Sequence, residues 1–274
     1  MSSALPLVYA CIAPHGGEIV PALAGSQLGL FSPTRKGMRK IAAQLDEARP
    51  DTVVIASPHN LRLHKHIGVV LSENSSGRVA EGRRVISLKA KCDVELAWKI
   101  LVASEKVGLP VVGANYGTFE GPLSDVAMDW GTLIPSWFFL KRRKLVTVTP
   151  SREIPLIENF EFGRMVATVA QRAKKRIAFV ASSDQAHAHK KNGPYGFSAK
   201  ASVYDGLVVD AIRKGRLSSI MRFPSSLVDA AKPDSLWQMT MLAGVLDVVP
   251  MRGDLFSYQV PTYYGMLTAG YKRS

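Results

Sequence analysis

Residues 7–17 read LVYACIAPHGG, and residues 52–59 read TVVIASPH. Each segment is a short apolar run, rich in β-branched residues, that stops at a Pro-His pair. Runs that are hydrophobic throughout predict strands covered on both faces, as in a parallel sheet. Residues 33–48 lie between the two runs and place apolar side chains at helical spacing. The order strand, helix, strand therefore predicts the start of an α/β fold.

The same alternation continues along the chain. Further strands are predicted at 66–71, 84–88, 110–114, 145–149, 176–182 and, as one or two strands, 257–271. Further helices are predicted at 94–107, 131–140, 160–174, 199–213 and 236–248. No linker divides the chain, so we expect one α/β domain over residues 1–274, with a central mixed, largely parallel sheet flanked by helices on both faces.

The composition limits the classes of protein to consider. The 274 residues are 47% hydrophobic and 21% charged, which supplies a core and argues against disorder. The net charge of +13 is typical of proteins that bind phosphate groups. The basic runs are scattered between elements, however, and lack interleaved aromatic residues. We therefore expect solvated helix ends, with attraction of an anionic substrate as the alternative, and no nucleic-acid partner.

Cysteine content and hydropathy bear on location. The two cysteines, Cys11 and Cys92, provide no disulfide framework, which fits a reducing compartment. The apolar stretch 4–13 lacks a basic leader and a cleavage-type segment. No run approaches the ~20 apolar residues that span a bilayer. We expect a cytoplasmic protein that does not associate with a membrane.

All six histidines fall in three short clusters, each at or just beyond the end of a strand-like run. The clusters are His15; His59, His64 and His66; and His187 and His189. In an α/β fold the carboxyl ends of the strands form the crevice where ligands bind, so imidazoles from different strands converge there. This arrangement predicts a metal site. His64 and His66 alternate within a basic loop and are the weaker candidates.

His15 and His59 are the first two candidate ligands. Each follows a proline, which sends the chain out of the sheet along a fixed path, and Gly16 and Gly17 let backbone pass close to an ion. Imidazole suits iron, zinc, copper or nickel. Two imidazoles with one carboxylate on one face of an octahedral ion leave positions open for substrate and dioxygen. The alternative interpretation is that Pro-His-Gly is only a turn.

His187 and His189 are candidates for proton transfer and substrate contact. On an extended segment they share a face, whereas on a helix they would diverge by about 200°. A histidine with an ordinary pKa of about 6.5 exchanges a proton at neutral pH, as a general acid or base does. Asp184 and Ser183 are placed beside them to orient an imidazole.

Several motifs follow one another in order along the chain. They are Ala13-Pro14-His15-Gly16-Gly17, Ser57-Pro58-His59, Asp129-Trp130-Gly131-Thr132, and Ser182-Ser183-Asp184 with His187 and Gly193-Pro194-Tyr195-Gly196 after it. In this order and spacing the chain resembles the class III extradiol ring-cleavage dioxygenases, of the protocatechuate 4,5-dioxygenase β-subunit type. The resemblance runs over about residues 8–245, and it is the order of the motifs, more than any one of them, that makes it specific.

The resemblance implies a non-haem Fe(II) enzyme that binds a catechol or aminophenol, activates dioxygen and cleaves the aromatic ring. It implies that His15 and His59 are metal ligands and that His187 is the catalytic acid and base. Contacts with the small aromatic substrate are expected from three further residues, His189, Trp130 and Tyr195. Zinc or another divalent metal is the alternative to Fe(II).

The third metal ligand departs from the family pattern. The resemblance implies a glutamate before the last large helix, but residues 227–237 contain no glutamate. Asp234 is placed best and Asp229 second, although an aspartate is one methylene shorter. Asp234 is also placed to cap the helix that follows, and both roles stay open at this point. Trp130 occupies the position of the histidine in the family's Asp-His-Gly motif, so substrate recognition must differ from that of the family.

The missing glutamate leaves other functions to weigh. One is a non-catalytic metal-binding subunit, either docked on a partner subunit or similar to the Memo proteins, whose Ser-Ser-Asp-x-x-His motif matches residues 182–187. A metal-free subunit of a dioxygenase and a zinc hydrolase on the same ligands are the others. The aromatic segment 258–271 is suited to pairing strands across a homo-oligomer or within the core. The chain contains no motif for nucleotide binding or serine hydrolysis.

Overall fold

The chain alternates strands and helices along most of its length. A computed structural model describes residues 6–273. The strands are β1 (Leu7–Ala13), β2 (Thr52–Ala56), β3 (Ile67–Val70), β4 (Asn74–Glu81), β5 (Arg84–Lys91), β6 (Val111–Ala114), β7 (Asp125–Ala127), β8 (Lys144–Thr149), β9 (Ile177–Ser182), β10 (Arg252–Gln259) and β11 (Met266–Lys272). The helices are α1 (Pro21–Ala24), α2 (Ser32–Ala48), α3 (Val94–Lys106), α4 (Trp130–Phe139), α5 (Leu156–Arg172), α6 (Ala199–Arg213), α7 (Ser225–Ala231) and α8 (Leu236–Val248).

A central sheet carries the fold, and within residues 6–273 it has eight strands in the order β10-β11-β1-β9-β2-β8-β3-β6. The neighbours from β1 through β9 and β2 to β8 are parallel, and so are β3 and β6. The pairs β10–β11, β11–β1 and β3–β8 are antiparallel. The prediction of one α/β domain with a mixed, largely parallel sheet is confirmed.

Helices cover both faces of this sheet because its central strands are apolar on both sides. In β1, Tyr9 and Cys11 pack in a core with α2 and α4. Ala10 and Ile12 pack in a second core with α5 and α8. A slip of one residue would exchange the two faces, so burial on both sides fixes the register of the strand. The carboxyl ends of the central strands are therefore held at defined positions.

A second, three-stranded sheet has the order β5-β4-β7 and packs against α4. The sequence predicts β5 at 84–88 but gives no indication of β4 or β7. β4 is largely polar and six of its eight residues lie in partly or fully exposed positions, so it lacks the apolar run that identifies a buried strand. This polar strand matters because it forms one wall of the cavity described below.

The ends of the helices follow their capping residues. The Asp129 carboxylate accepts a hydrogen bond from the backbone N–H of Thr132 at 3.0 Å, as expected for the cap of α4. α6 has the bounds that the sequence predicts, whereas the short helix α7 was not expected. Across residues 6–273, the structure contains no helix that combines the length and the apolar character needed to cross a membrane.

Candidate metal centre

Three strands end side by side at the candidate site. β9 lies between β1 and β2, and all three are parallel, so their carboxyl ends meet at one edge of the sheet. His15 follows β1, His59 follows β2 and Asp184 follows β9. Asp234 reaches the same place from the turn between α7 and α8. The fold thus brings together His15 and Asp234, which are 219 residues apart in sequence.

The side chains of His15, His59 and Asp234 converge on one point. His15 Nε2 and His59 Nε2 are 3.1 Å apart, and Asp234 Oδ2 lies 3.1 Å from the first and 3.2 Å from the second. Bonds of about 2.1 Å to one ion separate neighbouring donors by about 3.0 Å on an octahedral face and by about 3.4 Å on a tetrahedron. The donor triangle is nearer to the octahedral face. It therefore fits a divalent metal ion.

Ser182 fixes the tautomer of His15. The Ser182 hydroxyl donates its one proton to the Gly131 carbonyl, so its lone pair accepts from His15 Nδ1, which is 3.0 Å away. Neutral His15 then directs the lone pair of Nε2 at His59 and Asp234. Electron-rich atoms at these distances repel one another, so the arrangement suits a cation, either a proton or a metal ion.

Buried carboxylates set the charge of the site. Burial lowers the pKa of His15, but Asp184 and Asp234 more than offset this effect and raise the pKa to about 9. Burial, helped by the charge of Asp234, raises the pKa of Asp184 to about 6. Burial also acts to raise the pKa of Asp234, but His15 and His59 hold it well below its usual range. In the absence of a metal, His15 therefore holds a proton at neutral pH.

Asp234 does not cap the helix that follows it. Ser235 is the residue that precedes α8, and no side chain there accepts a hydrogen bond from the helix. Asp234 Oδ1 instead accepts the backbone N–H of Asp184 at 3.0 Å, while Oδ2 contacts the two imidazoles. Asp229, the other aspartate considered, is exposed on α7 and is not part of the triangle.

Asp129 ties the turn that carries His59 to α4. Its carboxylate accepts a hydrogen bond from Ser57 Oγ at 2.6 Å while it caps the helix. Trp130 stacks on the His59 ring, with 4.3 Å between the ring centroids. Gly131 permits this approach, because a Cβ there would lie 2.5 Å from Ser57 Oγ. The Asp-Trp-Gly motif therefore holds His59 in position.

A cavity of about 550 Å³ opens on the donor triangle. Apolar and aromatic side chains form much of its wall, namely Met128, Trp130, Ile134, Tyr195, Tyr263 and Tyr264. The His187 ring lines the same cavity and stacks on Tyr264 with 5.3 Å between centroids. Tyr264 in turn lies over Gly16, where a Cβ would be 2.2 Å from the phenol oxygen. Gly16 thus makes room for Tyr264, a contact that the sequence did not predict.

His187 is anchored by its backbone, and one of its ring nitrogens is buried without a partner in the described part of the chain. Its N–H donates to the Ala231 carbonyl at 3.0 Å, which ties its loop to the segment before Asp234. Its Nδ1 has no hydrogen-bond partner among the described residues. Tyr195 packs edge-on against the ring at 5.6 Å and is 56% exposed. Backbone and aromatic contacts therefore hold the imidazole in place, and no hydrogen bond among the described residues occupies its Nδ1.

His189 lies apart from His187 and is not in the cavity wall that residues 6–273 form. Its Nε2 contacts Asp205 Oδ2 at 2.9 Å, and Tyr258 donates to the same oxygen at 2.7 Å. This geometry gives no support to the expected substrate contact and assigns His189 to fixing the loop. His64 and His66 are exposed on the surface, away from the donor triangle.

Sequence reasoning missed two contacts and misplaced a third. Asp184, expected to orient His187 or its neighbour, accepts the backbone N–H of His15 at 3.1 Å and places Oδ2 at 3.3 Å from His15 Nε2. The role of Ser182 and the stacking of Tyr264 on His187 were not foreseen. The position of Ser182 at the end of β9 could have indicated a contact with the site. Tyr264 gave no such signal, because it lies in a distant part of the sequence.

The fold and the site together define an α/β protein with two imidazoles and a carboxylate gathered at the carboxyl edge of its sheet. The sequence model described as the catalytic LigB subunit of aromatic ring-opening dioxygenase matches residues 9–268, and the chain belongs to this family. It is the class III extradiol family that the motifs predict.

The chain also resembles individual proteins. Protein CA_C1420 of Clostridium acetobutylicum is 24% identical over 250 residues, which are 90% of this chain and 53% of that protein. The chain therefore spans about half the length of this relative. Among solved structures, uncharacterized protein JW3007 from Escherichia coli K12 has a TM-score of 0.61 at 17% identity, over 96% of this chain and 99% of its own. That likeness supports the fold alone.

Proposed function

We propose that this protein is a non-haem Fe(II)-dependent extradiol dioxygenase, which cleaves the aromatic ring of a catechol- or aminophenol-type substrate with O2. The proposal depends above all on the triangle of His15, His59 and Asp234 beside an aromatic-walled cavity. Two imidazoles and one carboxylate on one face of an ion leave positions for substrate and dioxygen. Membership of a ring-opening dioxygenase family supports the same reaction.

His15, His59 and Asp234 would hold the metal through Nε2, Nε2 and Oδ2. When bound, Fe(II) would polarise the substrate oxygens and supply the redox chemistry that dioxygen requires. The donor spacing of 3.1–3.2 Å fits one divalent ion bound by all three atoms, and Fe(II) is the proposed occupant because the family opens aromatic rings with dioxygen. Zinc or another divalent metal is the alternative occupant.

Trp130 and Tyr195 are proposed to bind the substrate ring. They are 48% and 56% exposed, respectively, and both line the cavity. Aromatic side chains at such a rim offer faces and edges on which a flat ring stacks. Because Trp130 also packs on His59, it would set the substrate ring close to the metal ligands.

His187 is proposed to be the catalytic acid and base. Its ring lines the cavity, is held against Tyr264, and has an Nδ1 that forms no hydrogen bond within residues 6–273. An imidazole so placed would accept the proton of a substrate hydroxyl and return a proton as the ring opens. The backbone bond from His187 to Ala231 would keep this imidazole beside the Asp234 segment during turnover.

Anaerobic loading with Fe(II) and a ring-cleavage assay test the proposal. The full chain should bind one iron per protomer, consume O2 in the presence of a catechol or aminophenol, and form a ring-opened product with a new visible absorbance. The zinc-loaded protein is the matched control and should show no O2 uptake. Absence of both bound iron and ring-opened product across a panel of such substrates would refute the proposal.

The proposal also covers the setting of the reaction. We infer a cytoplasmic homo-oligomer that acts on a small aromatic substrate and O2, with no nucleic-acid or membrane partner. The missing family glutamate suggested a non-catalytic subunit. This alternative is less favoured because Asp234 offers a carboxylate to the donor triangle in its place. The C-terminal aromatic strands β10 and β11 pair with each other within one chain. Activity of the protein purified alone would exclude a required partner subunit.

A further inference from the structure

A buried carboxylate on α6 lies behind the loop that carries His187. Asp205 is fully buried, and so are Tyr204 and Val208, which share its side of the helix and belong to the apolar core. An ionised carboxylate in such surroundings is costly unless hydrogen bonds replace its water. The contacts that Asp205 makes therefore show what the fold gains from placing it there.

Three donors converge on this carboxylate. The backbone N–H of Ala186 donates to Oδ1 at 2.9 Å. His189 Nε2 and the Tyr258 hydroxyl lie at Oδ2, at 2.9 Å and 2.7 Å. Because an ionised carboxylate only accepts hydrogen bonds, the proton of neutral His189 resides on Nε2. Burial and the charge of Asp205 raise the pKa of Tyr258 above its ordinary value, so its hydroxyl remains a donor.

Two of these donors flank His187 in the sequence. Ala186 comes directly before it and His189 two residues after it, so one carboxylate binds both sides of the segment. The N–H of His187 itself donates to the Ala231 carbonyl at 3.0 Å. The direction in which an imidazole points depends on the backbone that carries it. Asp205 thus fixes the part of the chain from which the His187 ring projects.

The same loop packs against the segment that carries Tyr264. The Ala186 carbonyl accepts the N–H of Gly265 at 3.0 Å, next to Tyr264 in sequence. The Tyr264 and His187 rings stack with 5.3 Å between centroids and 15° between planes. Both sides of Ala186 are therefore bonded, its N–H to Asp205 and its carbonyl to Gly265. A shift of the loop would change the stacking of His187 on Tyr264.

We infer that Asp205 is a positioning residue, which holds the His187 imidazole in place in the cavity through its bonds to Ala186 and His189. The inference rests on the proposed function, since it assigns a support to the proposed catalytic acid and base. Asp205 is absent from the cavity wall that residues 6–273 form, so it acts through His187 and not on the substrate. It is also outside the donor triangle. Its loss should lower turnover and leave metal binding unchanged.

A double-mutant cycle in the Fe(II)-loaded full chain tests the inference. Asp205→Ala should lower kcat about 100-fold, the cost of misplacing a catalytic group by about 1 Å, with unchanged iron affinity. Asp205→Asn should lower kcat only about tenfold, because its amide oxygen still accepts from Ala186 while its NH2 group replaces the acceptor of His189. In a His187→Gln protein, Asp205→Ala should leave kcat unchanged, because the group that it positions is gone.

Asp210→Ala is the matched control for these variants. Asp210 lies on the same helix, but its side chain is half exposed and pairs with Lys214 at 2.8 Å. Its removal should keep kcat and iron affinity at the values of the wild type. A loss of activity that follows from any change to α6 would appear in this control, whereas a loss through His187 would not.

Histidine NMR of the zinc-loaded full chain supplies a readout without turnover. The chain has six histidines, whose Cε1–H signals are assigned by single substitutions. The His187 signal lies in the ring current of Tyr264, so it reports the position of the imidazole. Asp205→Asn should shift this signal and leave the signals of the exposed His64 and His66 in place. Asp210→Ala should leave all of them in place.

The outcomes separate the inference from the proposed function. Wild-type kcat in folded Asp205→Asn, an unmoved His187 signal in that variant, or an equal fall in kcat from Asp205→Ala with and without His187 would overturn the inference. If Asp205→Ala does not fold, the cycle uses Asp205→Asn, whose effect should likewise vanish in His187→Gln. If the His187 signal moves but the wild-type chain cleaves no ring, the proposed function fails and the positioning contact stands.

Discussion

Replacing Ser182 by alanine should weaken metal binding while the protein stays folded. The substitution removes the oxygen that accepts from His15 Nδ1 at 3.0 Å. A buried N–H left without a partner costs about 1–3 kcal/mol, which sets the expected loss of stability of the metal-free protein. The His15 ring is then free to rotate or to carry its proton on Nε2. Loss of such an outer-shell partner lowers metal affinity about 10- to 100-fold, or by about 1.4–2.8 kcal/mol.

Ser183→Ala is the matched control for this prediction. Ser183 is the next residue and is equally buried, but its Oγ has no hydrogen-bond partner among the described residues. Its removal should leave metal affinity unchanged and should not lower stability, because no bond is lost. Fe(II) affinity is measured anaerobically by competition with a chromophoric chelator, and stability by thermal unfolding of the metal-free protein. Both variants are compared with the wild type at one pH.

The reasoning would be refuted by a folded Ser182→Ala protein whose Fe(II) affinity equals that of the wild type. A similar loss of affinity in both serine variants would contradict it as well, since only Ser182 contacts His15. Either result would mean that the His15 tautomer is set by some other group.

Three further predictions concern the donor triangle and His187. Asp234→Asn should weaken Fe(II) binding by more than the roughly 100-fold effect of an outer-shell change, whereas Asp229→Asn should leave it unchanged; chelator competition distinguishes them. Because the pKa of His15 is raised to about 9 without metal, Fe(II) must displace its proton at neutral pH. Affinity should rise about tenfold per pH unit up to about pH 9 and then level off, with about one proton released, as calorimetry in buffers of different ionisation enthalpy measures; no proton release at pH 7.5 would contradict this. His187→Gln should keep iron bound and lower kcat by about 100- to 10,000-fold, and a variant with full turnover would remove His187 from catalysis.

The sequence predicts the parts of this protein that depend on short-range patterns. β1 and β2 lie where the apolar runs predict them, because strands covered on both faces must be hydrophobic throughout. His15 and His59 could be found for the same reason, since each follows such a run. The choice between Asp234 and Asp229 could not be made, because it depends on how the α7–α8 turn meets strands from the other end of the chain.

The parts that escaped prediction are contacts between distant segments. β4 is too polar to be recognised as a strand, yet Arg78 and Val79 from it line the cavity. Tyr264 stacks on His187 although 77 residues separate them in sequence, and nothing local marks that pair. The stacking of Arg152 on Trp237 is of the same kind. Such pairs are specified by packing of the whole domain rather than by any local motif.

The central claim is that His15, His59 and Asp234 hold a divalent metal at the floor of the cavity. Anomalous diffraction at the iron edge, from crystals of the Fe(II)-loaded protein grown anaerobically, tests it directly. The account predicts one iron peak bonded at about 2.0–2.2 Å to Nε2 of both histidines and to the Asp234 carboxylate. An iron peak elsewhere would contradict it. So would iron-free crystals in which His15, His59 and Asp234 contact one another directly although Fe(II) was supplied.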